Sequence, residues 1–319
     1  MINDSALPDF DSLPGSQGAP RDTSWGLFGD SYELGTLNFL TPERVASAAA
    51  LVKTGRRFNL SLPLNLPSHT HSAEAKIRPS WMPDPKEGEE PPGRRPYKHD
   101  MWVMPDGLLK DEVIHDFNPQ ASSQWDGLGH IRHPKHGGYN GVNPSDIRPG
   151  NDSKLSIGKW AEAGGIIGRG ILVDIVRNAD LFPENYDPKV FTPITPEIIE
   201  AICERQEVEV QAGDILCFYT GWMEAFADSR GDFQVNLLGV GLSPGKEIPR
   251  WLWNHRVSAV CADNTGVEAY PWEPQRGRSL HTGLLNFLGM PLGELFDLKH
   301  LAADCAKDQI YEFFFCALP

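Results

Sequence analysis

Residues 164–176 read GGIIGRGILVDIV, the most apolar stretch of the chain, and the use made of this run decides the fold. A membrane-spanning helix needs about 20 apolar residues. This stretch is shorter and is broken by Arg169 and Asp174. Its second half, GILVDIV at 170–176, has the β-branched content of a buried strand. Residues 214–219 (DILCFY) and 257–262 (VSAVCA) repeat that character and read as further core strands. Between them, residues 195–205 (TPEIIEAICER) and 249–256 (PRWLWNHR) carry helix signals, so strands alternate with helices as in mixed α/β architecture. Upstream, residues 41–52 (TPERVASAAALV) offer Thr as N-cap, Pro at the first helical position and an Ala-rich body, which predicts a helix. Downstream, Phe313 to Phe315 in YEFFFCALP predict a last buried strand that ties the C-terminus into the sheet.

Composition narrows the function classes. The 319 residues carry 43 acidic against 29 basic side chains, a formal charge of −14, and so repel nucleic acid and anionic membrane. With 31 Gly and 27 Pro the chain is rich in turns and long loops. Residues 1–24 read as an extended arm of the kind that packs on a neighbouring subunit, and residues 25–319 as a single domain. Residues 82–98 (MPDPKEGEEPPGRRPYK) read as a Pro-rich surface loop. The opening MINDSALPDF has two Asp and no Lys or Arg, the opposite of a secretory start, so no targeting segment is expected. The 5 cysteines are odd in number, widely spread and lack a CxxC pair, which predicts a reducing, cytoplasmic setting without disulfides or a thiolate zinc site.

Potential ligands concentrate in residues 120–142 (QASSQWDGLGHIRHPKHGGYNGV), which hold Gln120, Gln124, Asp126, His130, His133 and His136. Pro134 and the neighbouring glycines argue against a helix, so these groups are displayed from a strand end and the loop after it. Strand alternation places Gln124 and Asp126, with Ser122, on one face. Spacing alone leaves open a solvated His loop with an Asp capping a turn. His69 and His71 in SHTHS share a face as extra ligands, or are loop histidines. His133 and His136, beside Pro134 and Lys135, are either solvent-exposed or pocket-lining. Trp125 and Trp222 read as core or as a platform for a ligand. Asp263 and Glu268 read either as a carboxylate pair near the site or as a turn cap and a surface Glu. The chain has no G-x-S-x-G elbow, no GxxxxGK loop and no dinucleotide glycine fingerprint opening a helix, which argues against a serine nucleophile, ATP and NAD.

In these residues the chain resembles the cyclase superfamily, which includes bacterial kynurenine formamidase and isatin hydrolase. The family pattern is His-x-Gly-Thr-His-x-Asp-x-Pro-x-His, and residues 120–130 (QASSQWDGLGH) lie on it without a gap. Asp126 and His130 match; Gln120 and Gln124 stand where the family has metal-binding histidines. Residues 168–174 (GRGILVD), 212–216 (AGDIL), 220–222 (TGW) and 262–268 (ADNTGVE) extend the resemblance. His281 in LHTGLL and Glu294 in GMPLGELFDL fall where the family places its later metal ligands.

The resemblance implies an α/β fold, a mixed β-sheet core with flanking helices in the swivelling β/β/α arrangement. It implies a divalent metal ion held by Gln120, Gln124, Asp126, His281 and Glu294. His130 and Asp126 become the catalytic pair, and Trp125, His69, His71, His133 and Tyr139 the substrate contacts. Two imidazoles replaced by amides favour harder cations, so the ion is Zn²⁺, Mn²⁺ or Mg²⁺, with Zn²⁺ or Mn²⁺ foremost. The implied function is metal-dependent hydrolysis of a lactone, amide or imide in a small cyclic or aryl substrate. The Gln-Trp-Asp form is similar to that of the trans-dienelactone hydrolases, which puts a lactone first. The alternative is a non-catalytic ligand-binding protein in which the two Gln side chains hydrogen-bond each other in place of the ion. The family habit also implies a homodimer or higher homo-oligomer.

Overall fold

The computed structural model describes residues 6–66, 97–150, 152–182, 186–228, 239–270 and 279–318. His69, His71 and residues 82–96 of the Pro-rich stretch lie outside them. In chain order the elements are α1 (Pro42–Ala49), β1 (Lys98–Val103), β2 (Lys110–His115), β3 (Gln124–Asp126), α2 (Gly158–Glu162), β4 (Ile166–Asp174) and β5 (Thr192–Ile194). There follow α3 (Pro196–Arg205), β6 (Ile215–Tyr219), α4 (Trp222–Asp228), β7 (Val240–Leu242), α5 (Glu247–Asn254), β8 (Ala259–Ala262), β9 (Leu292–Glu294), α6 (Lys299–Asp308) and β10 (Glu312–Ala317).

The three β-branched runs form the centre of a six-stranded sheet ordered β10-β4-β6-β8-β9-β3. Strands β4, β6, β8 and β9 run parallel, while β10 and β3 close the two edges antiparallel. Parallel strands covered on both faces read as continuous apolar runs, and β6 and β8 are buried at every position. Strand β4 starts earlier than 170 because Ile166 and Ile167 pair with Ala317 and Cys316 of β10. The ring of Phe313 lies over Gly170, where a Cβ would come within 2.3 Å of it. As an edge strand β10 is less covered than its aromatic run suggests: Phe315 is buried, and Phe313 and Phe314 are half-buried.

The predicted helices form with small shifts. Thr41 caps α1 by accepting from the Arg44 N–H at 3.4 Å, and α1 lies on β4. Helix α5 begins at Glu247, which leaves Pro249 in its first turn, where its missing N–H costs nothing. The arm packs on α5 of its own chain. Phe10 N–H donates to Asn254 Oδ1 at 2.9 Å, Trp253 Nε1 donates to Pro8 O at 2.9 Å, and Phe10 and Leu13 are buried. Strands β1 and β2 form a separate antiparallel hairpin that composition did not announce. Among the described residues no helix is long and apolar enough to cross a membrane.

For the site, the decisive feature is the β3–β9 edge. Its register sets Gln124 opposite Glu294 and Asp126 opposite Leu292, so two acids 168 positions apart (294 − 126) share one face.

Candidate metal centre

Strand β3 is three residues long and wholly buried, and alternation sorts its side chains. Gln124 and Asp126 face the Glu294 side. Trp125 faces the opposite side, edge-on to Phe296 at 5.4 Å and to Phe315 at 6.2 Å between ring centroids, so it packs core rather than the acid cluster. Gln120 comes from the turn just before, a 3₁₀ turn at Pro119–Ala121 fixed by the Asn118 side chain accepting from Gln120 N–H at 3.0 Å. Ser122 is buried, but its hydroxyl donates to Pro63 O and not into the cluster.

His281 enters from the far side at the start of a π-helical segment, Thr282–Leu288, a wide turn that often marks functional sites. Behind it stands Glu268, the acid that sequence reading left undecided between a site carboxylate and a surface residue. It is buried, and its carboxylate accepts from His281 Nδ1, from the Leu280 N–H at 2.8 Å and from the His281 N–H at 3.3 Å. A sharp turn delivers it. Val267 sits at φ +58°, a left-handed conformation that a β-branched residue rarely adopts. Asn264 Oδ1 holds that turn by accepting from Val267 N–H at 2.7 Å. Strand β7 can approach only because position 241 is glycine: a Cβ there would lie 2.3 Å from the Glu268 carbonyl carbon.

Asp126, His281 and Glu294 are all buried and offer one ligand atom each within 4.8 Å of one another. His281 Nε2 lies 3.2 Å from Glu294 Oε1 and 3.6 Å from Asp126 Oδ2. An ionised carboxylate only accepts hydrogen bonds, so each Gln must turn its NH₂ edge to an acid. Gln120 Nε2 donates to Asp126 Oδ1, and Gln124 Nε2 donates to Glu294 Oε2 and, at 3.4 Å, to Gln120 Oε1. The two amides thus form a bracket between the acids, and each acid keeps its other oxygen for the His281 side.

Charge is concentrated here. Burial, reinforced by the neighbouring Glu294, pushes the Asp126 carboxyl above its ordinary value, against the pull of His130 and His281. Burial opposes protonation of His281, yet its hydrogen bonds to Glu268 and Glu294 outweigh that and hold the ring well above the usual imidazole value. Two acceptors remain without a donor: Asp126 Oδ2 and Gln124 Oε1 are buried and have no hydrogen-bond partner. A buried acceptor left unpaired costs about 1–3 kcal/mol, more when charged. A divalent cation is a partner that asks only for acceptors. The imidazole nitrogen, two carboxylate oxygens and amide oxygen suit Zn²⁺, Mn²⁺ or Mg²⁺, so the residues present fit the ion.

The other candidates are placed as follows. His130 stands at the border, its side chain 33% exposed and its Nε2 3.6 Å from Asp126 Oδ2. His133 is half-buried, with its ring 4.6 Å from His136 and 5.6 Å from Phe287. Its Nδ1 accepts from the Lys135 and His136 N–H groups, and burial together with the charges of His136 and Lys135 lowers its pKa. Asn286 of the π-helical segment donates to Ile131 O and Gly137 O, so this His loop is anchored to the segment that carries His281. Tyr139 is fully buried, its hydroxyl 3.2 Å from Ser24 Oγ and its ring filling the space over Gly289, which places it in the packing and not on a pocket wall. Trp222 is buried and stacks on Phe226 at 5.5 Å. Asp263 caps the turn after β6 and belongs to the scaffold.

Sequence reading left Glu268 undecided, and although it allowed the two Gln side chains to pair, it did not foresee that their amides bridge Asp126 and Glu294. An acid in the apolar VEAY context, just after an Asn-Thr-Gly turn, was the available signal for Glu268.

The model of the Cyclase family matches residues 58–269. A solved structure described as a novel cyclase is 31% identical, covers 93% of this chain and 92% of its own, and superposes with a TM-score of 0.74. Isatin hydrolase A from Ralstonia solanacearum is 16% identical over 82% of this chain and 87% of its own, with a TM-score of 0.48. The isatin hydrolase A of Labrenzia aggregata, bound to benzyl benzoate, is 14% identical over 80% and 87%, with a TM-score of 0.47. These two are too distant to bear on the chemistry. No curated protein matches the chain.

Proposed function

Since this chain belongs to the cyclase family, we propose that it is a metal-dependent hydrolase of a small cyclic or aryl carbonyl compound, a lactone before an amide or imide. The observation that carries this reading is the buried Asp126, His281 and Glu294 set with two acceptors, Asp126 Oδ2 and Gln124 Oε1, that lack donors. Asp126 Oδ2, His281 Nε2, Glu294 Oε1 and Gln124 Oε1 would hold the ion, Zn²⁺ or Mn²⁺. When bound, it supplies Lewis acidity toward a carbonyl oxygen and acidifies water.

The chain's own residues do the rest. His130 is the part-exposed base next to Asp126, placed to take a proton from the attacking water and return it to the leaving oxygen or nitrogen. Gln120 and Gln124 fix both acids by their outer oxygens, so the inner ones do not swing. The test is metal analysis of the dialysed protein, titration calorimetry with Mn²⁺ and Zn²⁺, and turnover of a lactone and anilide panel with and without chelator. Cation binding with chelator-sensitive turnover is expected; a chain that takes up neither ion would overturn the reading.

One observation favours the second reading, a binding protein without an ion: the amide bracket already links the two acids. Binding of a panel compound without cation uptake or turnover would select it.

The active form in this proposal is a homodimer. Among the described residues the β1–β2 hairpin pairs with no further strand and exposes Met101, Trp102, Leu108, Leu109, Ile114 and the following Phe117, and a two-stranded ribbon by itself is marginal in water. Apolar surface of this kind marks an interaction face, and a second copy is the commonest partner. A sedimentation mass near the 35.4 kDa of one chain at micromolar concentration would overturn this.

A further inference from the structure

Resting on that metal-hydrolase reading, we infer that Glu268 is a positioning residue: it locks His281 with Nδ1 protonated and Nε2 turned to Asp126 and Glu294, and so sets the affinity of the centre for a divalent cation. Glu268 lies outside the 120–130 signature, and its role rests on what its carboxylate touches. Both oxygens are committed to His281 and its helical turn. One accepts from the ring Nδ1 and the His281 N–H, and the other accepts from the Leu280 N–H. The same carboxylate therefore holds both the ring and the backbone that carries it.

The consequence is directional. A ring whose Nδ1–H is engaged by a carboxylate can offer only Nε2, and Nε2 is the atom 3.2 Å from Glu294 Oε1 and 3.6 Å from Asp126 Oδ2. Rotation of the imidazole to present Nδ1 would break its bond to Glu268 and leave a buried carboxylate oxygen without that donor. A carboxylate behind a metal-facing imidazole also raises its donor strength.

The support beneath Glu268 is built for rigidity. Val267 is held at φ +58° by the Asn264 side chain, whose Nδ2 in turn donates to Val240 O at 2.7 Å. The backbone on either side is clamped to β7: Leu242 N–H donates to Val267 O at 2.8 Å, and Ala269 N–H donates to Leu242 O at 2.9 Å. A β-branched residue in the left-handed region is strained and persists only where its surroundings enforce it. Here the enforced conformation aims a buried acid at one imidazole, and surface solvation or a cationic partner is not what it serves.

Two measurements test this. In native protein loaded with Zn²⁺, ¹⁵N NMR of the imidazole groups should show His281 with Nδ1 protonated and Nε2 bound to the ion. The reverse assignment would overturn the inference and requires no variant to fold. Glu268→Gln keeps the size but loses the charge, and it turns one of the two acceptor oxygens into an NH₂ facing the Leu280 or His281 donors. It should weaken Mn²⁺ and Zn²⁺ binding about 10- to 100-fold by calorimetry, in a protein that still folds but melts somewhat below native without the ion. Glu268→Asp, too short to reach the ring, should weaken binding similarly. Native affinity in Glu268→Gln would overturn the inference and leave the proposed function standing; no cation uptake by the native chain would overturn both.

Discussion

Asp126 and Asp263 are the same residue at the same depth, each about 1% exposed and each at the C-terminal end of a strand of one sheet. Their surroundings differ in one respect. Asp263 spends both oxygens on its own scaffold: Oδ1 accepts from Thr220 N–H at 2.9 Å and Thr220 Oγ1 at 2.6 Å, and Oδ2 accepts from Gly221 N–H at 2.8 Å. Asp126 satisfies Oδ1 with the Gln120 amide and leaves Oδ2 with no donor, facing two imidazole nitrogens at 3.6 Å. A buried acid with every acceptor filled is finished by folding. One with an open acceptor inside a ring of ligands is completed by something else.

The largest expected effect breaks that comparison at Asp126. Asp126→Asn removes the charged, open oxygen but keeps a carbonyl to accept from Gln120. Cation uptake and hydrolysis should fall below detection, while the ion-free protein melts near or above native, because a buried charge beside Glu294 has been removed. Metal content and a melting curve on one preparation decide it. Retained metal would make Asp126 a scaffold residue like Asp263.

His130 touches the same open oxygen from outside. His130→Asn should leave cation content near native and lower kcat about 100- to 10,000-fold, with loss of the acidic limb of the rate profile. Loss of the ion would make His130 a ligand, and unchanged kcat would make it structural.

Asp263 provides the contrasting arm. Burial, only partly offset by hydrogen bonds from Thr220 and Gly221, pushes its pKa from 3.8 up to about 7. The folded chain therefore keeps a proton that the unfolded chain has released between about pH 4 and about pH 7. Its contribution to stability falls as pH rises through that window and is level above it. Asp263→Asn should remove this slope and cost about 1–3 kcal/mol, because an amide NH₂ would meet a backbone N–H. Urea unfolding of both proteins at pH 5 and pH 8 measures it, with the native-minus-variant difference smaller at pH 8. Cation affinity should not change.

The two aspartates also show where sequence suffices. The runs at 170–176, 214–219 and 257–262 announce β4, β6 and β8 because burial on both faces demands apolar residues throughout. Thr41 and Pro42 announce α1 because capping is local. Gln120, Gln124, Asp126, His281 and Glu294 could be gathered only through resemblance, since the Gln124–Glu294 contact spans 170 positions. The direction of each amide emerged only once the acids opposite were known. Glu268 stayed undecided because its aim depends on a left-handed Val267 and a close pass by Gly241. The β1–β2 hairpin was within reach: Pro105, Asp106 and Gly107 form a turn signal between its two strands.

Tyr139 gives the smallest expected effect and marks how far the open site extends. Sequence reading set it among the substrate contacts with Trp125 and His133, but its ring is sealed beneath Gly289 and its hydroxyl meets Ser24 Oγ. Burial raises its pKa, so the phenol stays neutral and the hydroxyl serves packing. Tyr139→Phe keeps the ring and removes one neutral hydrogen bond, and Ser24 Oγ keeps its own bond to Leu288 O at 2.9 Å. The loss should therefore be about 1 kcal/mol of stability, with KM and kcat at native values. A rise in KM with unchanged melting would bring the ring into the pocket, and the open region would then reach past Asp126 into what the structure shows as core.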